Sequence, residues 1–149
     1  MGESNSKQLE VVGLDLGDRW TSWCHCTAGG EVVGEGRVRT QQEAFSRQFS
    51  VEPRRRILLE TGTHSLWVAR LLRSMGHEVY VLHARSLRAI TESRRKTDRL
   101  DARVLAQLGA TTSVAVLHTV DVMDESVQSD RAVLLARDLL VRCRTQQIS

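Results

Sequence analysis

The residues of this chain that could do chemistry are four acidic side chains in unusual positions. Asp15 ends the apolar run "VVGLD", and Glu60 ends the short run "ILLE". Asp98 and Asp101 lie three residues apart within "RRKTDRLDAR", in the most basic stretch of the chain. A carboxylate at the end of an apolar strand costs free energy unless it is paired, hydrogen-bonded or bound to a cation. Four carboxylates brought together would repel one another strongly, so we expect a counterion between them.

Mg²⁺, with Mn²⁺ as a substitute, is the counterion that this set of acids predicts, because both ions prefer oxygen ligands. Two such ions can activate a water or hydroxyl and stabilise a leaving oxygen in phosphodiester chemistry. We therefore predict a metal-binding and catalytic site at Asp15, Glu60, Asp98 and Asp101. The basic residues near the two aspartates would hold the phosphates of a nucleic acid. They are Arg85, Arg88, Arg94, Arg95, Lys96 and Arg99.

Each of these acids also has a purely structural explanation. Asp15 could cap or turn the chain after its strand, and Glu60 could stabilise the positive end of a helix that begins near "THS". Asp98 and Asp101 could form ion pairs along a solvated helix. In the metal-site interpretation, Thr97 caps a helix that carries both aspartates on one face, with their β-carbons about 5–6 Å apart.

Hydrophobic periodicity predicts the elements that must position these acids. The expected strands are Leu9–Gly17, Trp20–Ala28, Glu31–Arg39, Arg55–Glu60 and Glu78–His83, and the expected helices are Gln41–Phe49 and His64–Gly76. From Ala84 onward the pattern is helical, apart from a loop at Thr111–Met123. This order favours an α/β fold with a mixed sheet. If their strands are parallel neighbours, Asp15 and Glu60 emerge at the same edge of that sheet.

Composition limits the classes of protein that fit. The 21 basic and 18 acidic residues give a net charge of +3, which permits a nucleic-acid partner without requiring one. No apolar run approaches the roughly 20 residues that cross a bilayer, and no hydrophobic signal segment opens the chain. Three cysteines are an odd number for a disulfide framework, which favours a cytoplasmic setting.

Several other residues with chemical potential are assigned structural roles. "CHC" at residues 24–26 suggests zinc, but alternation along a strand puts Cys24 and Cys26 on one face and His25 on the other. Two small buried thiols are the better explanation. His64 is expected to start a helix rather than to touch a phosphate. The tryptophans are assigned to core or hairpin packing rather than to base stacking; they are Trp20, Trp23 and Trp67.

Four segments of the chain resemble one protein family. They are "GLDLG", "LLETGTHSLWVARLL", "GHEVYVLHARSLRAI" and "RRKTDRLDARVLAQL". These segments resemble the RuvC-like amino-terminal domain of DEDD-type insertion-sequence transposases, which are bridge-RNA-guided recombinases. The resemblance covers roughly Val11 to the end of the chain. It implies an RNase-H-like fold, with a mixed five-stranded sheet flanked by helices and a long C-terminal helix.

The resemblance also implies a function. By motif position, Asp15, Glu60, Asp98 and Asp101 become the family's four metal-binding acids, which use Mg²⁺ for DNA strand cleavage and transfer. Donor DNA, target DNA and a guide (bridge) RNA become the expected partners, together with further copies of the chain and without a membrane. The implied location is the bacterial cytoplasm, in association with the nucleoid.

The expected domain organisation has three parts. Residues 1–8 form a flexible N-terminus, residues 9–118 form the RuvC-like catalytic domain, and residues 119–149 begin a helical, coiled-coil-like extension. In the resembled family a region with a nucleophilic serine follows, and no serine of this chain lies in a matching motif. The chain is therefore expected to stop before that region and to lack full recombination activity by itself.

Three other functions compete with this one. An actin-like kinase or ATPase shares "GLDLG" but needs a second phosphate motif and an adenosine motif, neither of which is visible. A non-catalytic nucleic-acid-binding and oligomerisation module would leave the acids with structural roles. A stand-alone RuvC-like junction resolvase would share the fold and the metal site, and the "KTDRLDA" arrangement favours the transposase over it.

Overall fold

A computed structural model describes residues 8–50, 53–83, 101–117, 119, 133–137 and 140–141 of the chain. Its regular elements lie close to the predicted ones. The strands are β1 (Val11–Leu16), β2 (Trp20–Cys26), β3 (Val32–Arg39), β4 (Arg56–Glu60) and β5 (Glu78–Leu82). The helices are α1 (Gln42–Phe49), α2 (Ser65–Ser74) and α3 (Ala102–Thr111), and a short 3₁₀ helix follows at Val114–Val116.

The five strands form one mixed sheet in the order β3–β2–β1–β4–β5. β1, β2 and β3 pair as an antiparallel meander, whereas β4 is parallel to both β1 and β5. Gly30 has a φ of +90° in the turn between β2 and β3, where glycine avoids the strain that a β-carbon would bring. This sheet and its flanking helices confirm the predicted α/β class, which is the RNase-H-like one.

The two faces of the sheet bury different sets of side chains because residues alternate along each strand. On the first face, Leu14 and Leu59 pack with Phe45 of α1 and Leu72 of α2 in the larger core. On the second face, Val11 and Leu58 pack with Leu105 of α3 in a smaller core. We call these the α1/α2 face and the α3 face. Asp15 shares the strand parity of Val11, and Glu60 shares that of Leu58, which places both acids on the α3 face.

Small residues let α3 lie very close to the sheet. A β-carbon added at Gly13 would overlap the carbonyl oxygen of Ala102 and would lie 2.5 Å from the amide nitrogen of Ala106. Ala102 and Ala106 are buried together with Cys24 and Cys26 of β2. This contact confirms that the two cysteines are small buried thiols, and both are free. It also fixes the N-terminus of α3 against the middle of β1.

The start of α3 differs from its prediction. Asp101 is the N-cap residue, with extended backbone angles (φ −71°, ψ 162°), and the helix begins at Ala102. The expectation that one helix, capped by Thr97, carries Asp98 and Asp101 on the same face is therefore wrong, because the chain is not helical at Asp101. Serine, threonine and aspartate all cap helices well, so the sequence offers more than one start.

Two further expectations lie wholly or partly outside the described residues. The basic segment from Ala84 to Leu100 is one of them. The long helix expected from about Asp124 is described only at residues 133–137 and 140–141, which are helical and have exposed side chains. Within the described parts of the chain, no helix combines the length and apolar character that a membrane span requires.

Candidate active site

Asp15 lies near the carboxyl end of β1, the central strand of the sheet. Its strand pairs with β2 on one side, where Asp15 is opposite Ser22, and with β4 on the other. The parallel register of β1 and β4 runs from Val11 beside Arg56 to Leu14 beside Leu59. One further step along both strands brings Asp15 next to Glu60. Neighbouring strands lie about 4.8 Å apart, so the two carboxylates emerge side by side.

Glu60 and Asp15 line one small cavity at this edge of the sheet. The cavity has a volume of about 70 Å³, and residues 61–64 of the loop before α2 complete it together with Leu16 and Asp18. That volume corresponds to roughly two water molecules, so an ion with part of its hydration shell would fit. The convergence of Asp15 and Glu60, expected from parallel neighbouring strands, is thus present in the structure.

Glu60 does not play the structural role considered for it. The first turn of α2 contains no acidic residue, because the helix begins at Ser65, after the N-cap residue His64. A carboxylate stabilises a helix dipole only within the first turn. Glu60 therefore belongs to the end of β4 rather than to the start of α2.

Asp101 stands beside this cavity rather than in it. It lines an open groove of about 590 Å³ together with Ser22 and Arg37 of the sheet and Arg103 of α3. Its carboxylate accepts a hydrogen bond of 2.8 Å from the backbone nitrogen of Val104, which is the N-cap interaction of α3. Because Ala102 packs over Gly13 and Ser22 lies opposite Asp15, the cavity and the groove adjoin on the α3 face.

The remaining predicted site residues lie outside the described residues. Asp98 is one of them, and the others are the six basic residues Arg85, Arg88, Arg94, Arg95, Lys96 and Arg99. Across the described part of the chain, no three His, Cys, Asp or Glu side chains converge closely enough to hold a metal ion. The described part of the site is a pair of carboxylates with a third acid nearby. A donor set of carboxylate oxygens is the type that Mg²⁺ and Mn²⁺ select.

His64 connects the cavity to the core through a hydrogen-bonded chain. The indole nitrogen of Trp67 donates to His64 Nδ1 at 3.0 Å, and His64 Nε2 lies 3.3 Å from a carboxylate oxygen of Asp18. The bond from Trp67 makes Nδ1 the acceptor, which leaves Nε2 as the donor toward Asp18. His64 thus starts α2 as predicted, while its outer nitrogen points to the exposed Asp18 at the mouth of the cavity.

A charged pair joins α3 to the outer strand. Arg103 donates to both carboxylate oxygens of Glu35 on β3, at 2.8 and 3.1 Å. The hydrogen bond and the charge of Arg103 lower the pKa of Glu35. Sequence patterns do not reveal this pair, because residues so far apart along the chain meet only through the packing of α3 on the sheet.

The fold and the placement of the acids define the class: an RNase-H-like domain with carboxylates at the carboxyl ends of two adjacent central strands. Comparison with protein families gives the finer assignment. A family model for transposases, the DEDD type of IS110 elements, matches residues 12–149, which is nearly the whole chain. The chain belongs to this transposase family, and DNA is therefore among its partners. A comparison with curated proteins gave no significant match.

Proposed function

We propose that this chain is the catalytic N-terminal domain of a DNA transposase that cuts and transfers DNA strands at a four-carboxylate site. The observation that carries the proposal is the position of Asp15 and Glu60, side by side at the ends of β1 and β4. Membership of the transposase family supplies the reaction class. Asp98 and Asp101 complete the set in this proposal, and residues 9–118 form the catalytic domain.

Mg²⁺ is the proposed cofactor, with Mn²⁺ as a substitute, and when bound it would polarise the phosphate and lower the pKa of an attacking water or hydroxyl. Asp15 and Glu60 would hold it from the sheet, and Asp98 and Asp101 from the segment that leads into α3. The close packing of α3 on Gly13 supports this arrangement, because it holds the N-cap of the helix near the sheet edge. Two carboxylates this close together also favour a bound cation on electrostatic grounds.

The proposal includes partners beyond DNA. The family resemblance supports a guide RNA, with the basic residues between Arg85 and Arg99 as its candidate contacts. Assembly into a homo-oligomer is supported by the exposed apolar side chains of residues 133–137 and 140–141, where Val133 is 68% and Leu140 is 72% exposed. The setting that suits these partners is the bacterial cytoplasm, at the nucleoid. Residues 119–149 would form the helical extension in this assembly.

A calorimetric titration of Mn²⁺ tests the proposed site in the presence of a structured RNA. The wild-type chain is compared with Asp15→Asn, Glu60→Gln and Asp98→Asn, which keep the shape of each side chain and remove its charge. Loss of a ligand should weaken Mn²⁺ binding by at least about tenfold, since loss of an outer-shell partner alone costs that much. Glu35→Gln is the matched control, because Glu35 lies on the same sheet face but pairs with Arg103. Unchanged Mn²⁺ affinity in the three site variants would contradict the proposal.

A second candidate function is a non-catalytic module that binds nucleic acid and assembles with other copies. The N-cap bond of Asp101 favours it, because that bond gives one of the four acids a structural role. Titration distinguishes the two functions. If RNA or DNA binds normally while Mn²⁺ binding is equally weak in the wild type and in Asp15→Asn, the chain is a binding module.

A further inference from the structure

Trp20 is an exposed aromatic residue at the start of β2. Its side chain is 41% exposed, unlike Trp23 and Trp67, which pack against the larger core. The guanidinium groups of Arg37 and Arg39 lie over its ring, at 5.4 and 4.7 Å from the ring centroid. An exposed indole carrying two guanidinium groups is the combination that binds single-stranded nucleic acid through stacking and phosphate contacts.

The sheet register places this group beside the acids. Trp20 pairs with Arg39, and Ser22 pairs with Arg37 on one side and Asp15 on the other. These side chains share the α3 face because they have the same strand parity as Cys24, which packs against α3. A continuous row therefore runs from Asp15 through Ser22 to Arg37, and it spans two strand spacings, or roughly 10 Å. Trp20 lies diagonally from Asp15, at roughly 7–8 Å between α-carbons.

The two arginines carry charge that the described protein does not neutralise. Throughout the described ranges, no carboxylate lies within ion-pair distance of Arg37 or Arg39, and both side chains are exposed. The nearest candidate on their own strand is Glu35, and Arg103 already occupies both of its oxygens. Two like charges at alternate positions of one strand repel each other, so an anion between them would be favoured.

We propose that Trp20, Arg37 and Arg39 bind the unpaired DNA strand next to the phosphate that the acids act on. A base stacks on the exposed part of the Trp20 indole, and the two guanidinium groups contact the neighbouring phosphates. The groove that contains Arg37, Ser22 and Asp101 lies between this surface and the cavity of Asp15 and Glu60, because Ser22 pairs with Arg37 on one side and with Asp15 on the other. The strand would follow this row of roughly 10 Å. The identity of the strand as DNA rests on the proposed transposase function.

An unpaired strand fits this surface better than a duplex does. Stacking on an indole requires a base with a free face, and the bases of a duplex already stack on one another. Duplex DNA could contact the two arginines through its phosphates but would gain nothing from Trp20. Substitution of Trp20 therefore distinguishes the two forms of DNA.

Fluorescence anisotropy with labelled oligothymidylate tests the proposal on the full chain, in EDTA so that metal binding plays no part. Trp20→Leu keeps an apolar side chain but removes the aromatic face, and it should weaken binding by roughly five- to 150-fold. The double variant Arg37→Ala/Arg39→Ala should lower the slope of log affinity against log salt by about 1.4, for two lost phosphate contacts. Arg47→Ala/Arg73→Ala is the control with the same charge change, because both arginines are exposed and lie on α1 and α2, which pack on the opposite face of the sheet.

The outcomes are separable. The proposal is overturned if Trp20→Leu binds oligothymidylate as the wild type does, or if both double variants lose affinity equally. Oligouridylate of equal length and duplex DNA are titrated in parallel. If Trp20→Leu loses affinity only for oligouridylate or only for duplex DNA, the proposal of an unpaired DNA strand is also overturned. Thermal unfolding of each variant shows whether it remains folded, and the arginine variant tests the surface independently if Trp20→Leu unfolds. If Trp20→Leu binds oligothymidylate normally while Asp15→Asn loses Mn²⁺ affinity, the proposed strand-binding surface is wrong and the proposed function still holds. If the site variants keep their Mn²⁺ affinity while Trp20→Leu loses affinity for oligothymidylate, the proposed function alone is refuted.

Discussion

Gly13→Ala should destabilise the protein by about 1–3 kcal/mol, the usual cost of an overpacked contact. The added β-carbon would overlap the Ala102 carbonyl oxygen and lie 2.5 Å from the Ala106 nitrogen, whereas ordinary contact begins at 3.4 Å. Helix α3 must therefore move away from the sheet by at least about 0.9 Å. Backbone atoms cannot rotate aside as the end of a flexible side chain can, so the whole first turn of the helix has to shift.

The substitution also reduces the backbone entropy of the unfolded chain, which stabilises the fold by a smaller amount. Replacing a strand glycine by alanine without a clash is worth roughly 0.5–1 kcal/mol in the opposite direction. The overlap should therefore dominate, and the midpoint of thermal unfolding should fall by roughly 2–12 °C, at about 2–4 °C per kcal/mol for a chain of this length. Gly29→Ala is the matched control, because its added β-carbon would meet nothing closer than 3.7 Å.

Two measurements check the prediction. Differential scanning calorimetry gives the stability change, and Mn²⁺ titration reports whether the shifted helix still brings Asp101 to the sheet edge. Displacements of about 1 Å are enough to cost roughly 100-fold in the function of a positioned site. An unfolding midpoint equal to that of the wild type would refute the close approach of α3 to β1.

Three more outcomes are expected. Thr40→Val should cost about 1–3 kcal/mol in urea unfolding, because the Thr40 hydroxyl donates to the Gly17 carbonyl at 2.7 Å and lies 2.9 Å from the hydroxyl of the fully buried Thr21, which would lose this partner. Thr40→Ser should be much milder, and equal losses in both variants would count against this explanation. Burial, with a smaller contribution from the neighbouring thiol, raises the pKa of Cys24 to about 12, so alkylation at pH 8 followed by peptide mapping should leave Cys24 unmodified until the protein is unfolded. Arg103 lowers the pKa of Glu35, so their ion pair stabilises the fold at pH values above the usual glutamate pKa, and this stabilisation is lost as the pH falls through the lowered pKa. In Arg103→Ala, an NMR titration should find the pKa of Glu35 higher than in the wild type, and an unchanged pKa would exclude the pairing.

The sheet and the meeting of Asp15 and Glu60 can be predicted from sequence patterns. Short apolar runs ending in an acid define both β1 and β4, and parallel strands place their carboxyl ends at one edge, so the meeting of Asp15 and Glu60 is predictable. The burial of apolar side chains determines the register of these strands, because a shift of one residue would turn every apolar side chain to the wrong face of the sheet.

The position of Asp101 at the start of α3 depends on information that local sequence patterns do not contain. Thr97 and Asp101 are both good N-cap residues, and the apolar spacing after them suits a helix from either start. The close contact at Gly13 favours the start at Ala102, and that contact joins segments far apart in the chain. Sequence patterns predict only packing for Trp20 for a similar reason, since the strand register alone shows that Arg37 and Arg39 share its face.

Asp101 can serve both as a helix cap and as a metal ligand, and one substitution separates these roles. The N-cap bond uses Oδ1, whereas a carboxylate has two oxygens with about four lone-pair positions. The cap also fixes the side chain in one orientation, which would lower the entropy lost when a cation binds.

Asp101→Asn keeps the capping oxygen and removes the charge, and asparagine caps about as well as aspartate does. Thermal stability should then be nearly unchanged while Mn²⁺ affinity falls at least about tenfold. Asp101→Ala should lose both, with a stability cost of about 1 kcal/mol. If Asp101→Asn keeps full Mn²⁺ affinity, Asp101 is a cap alone and the site has three acids rather than four.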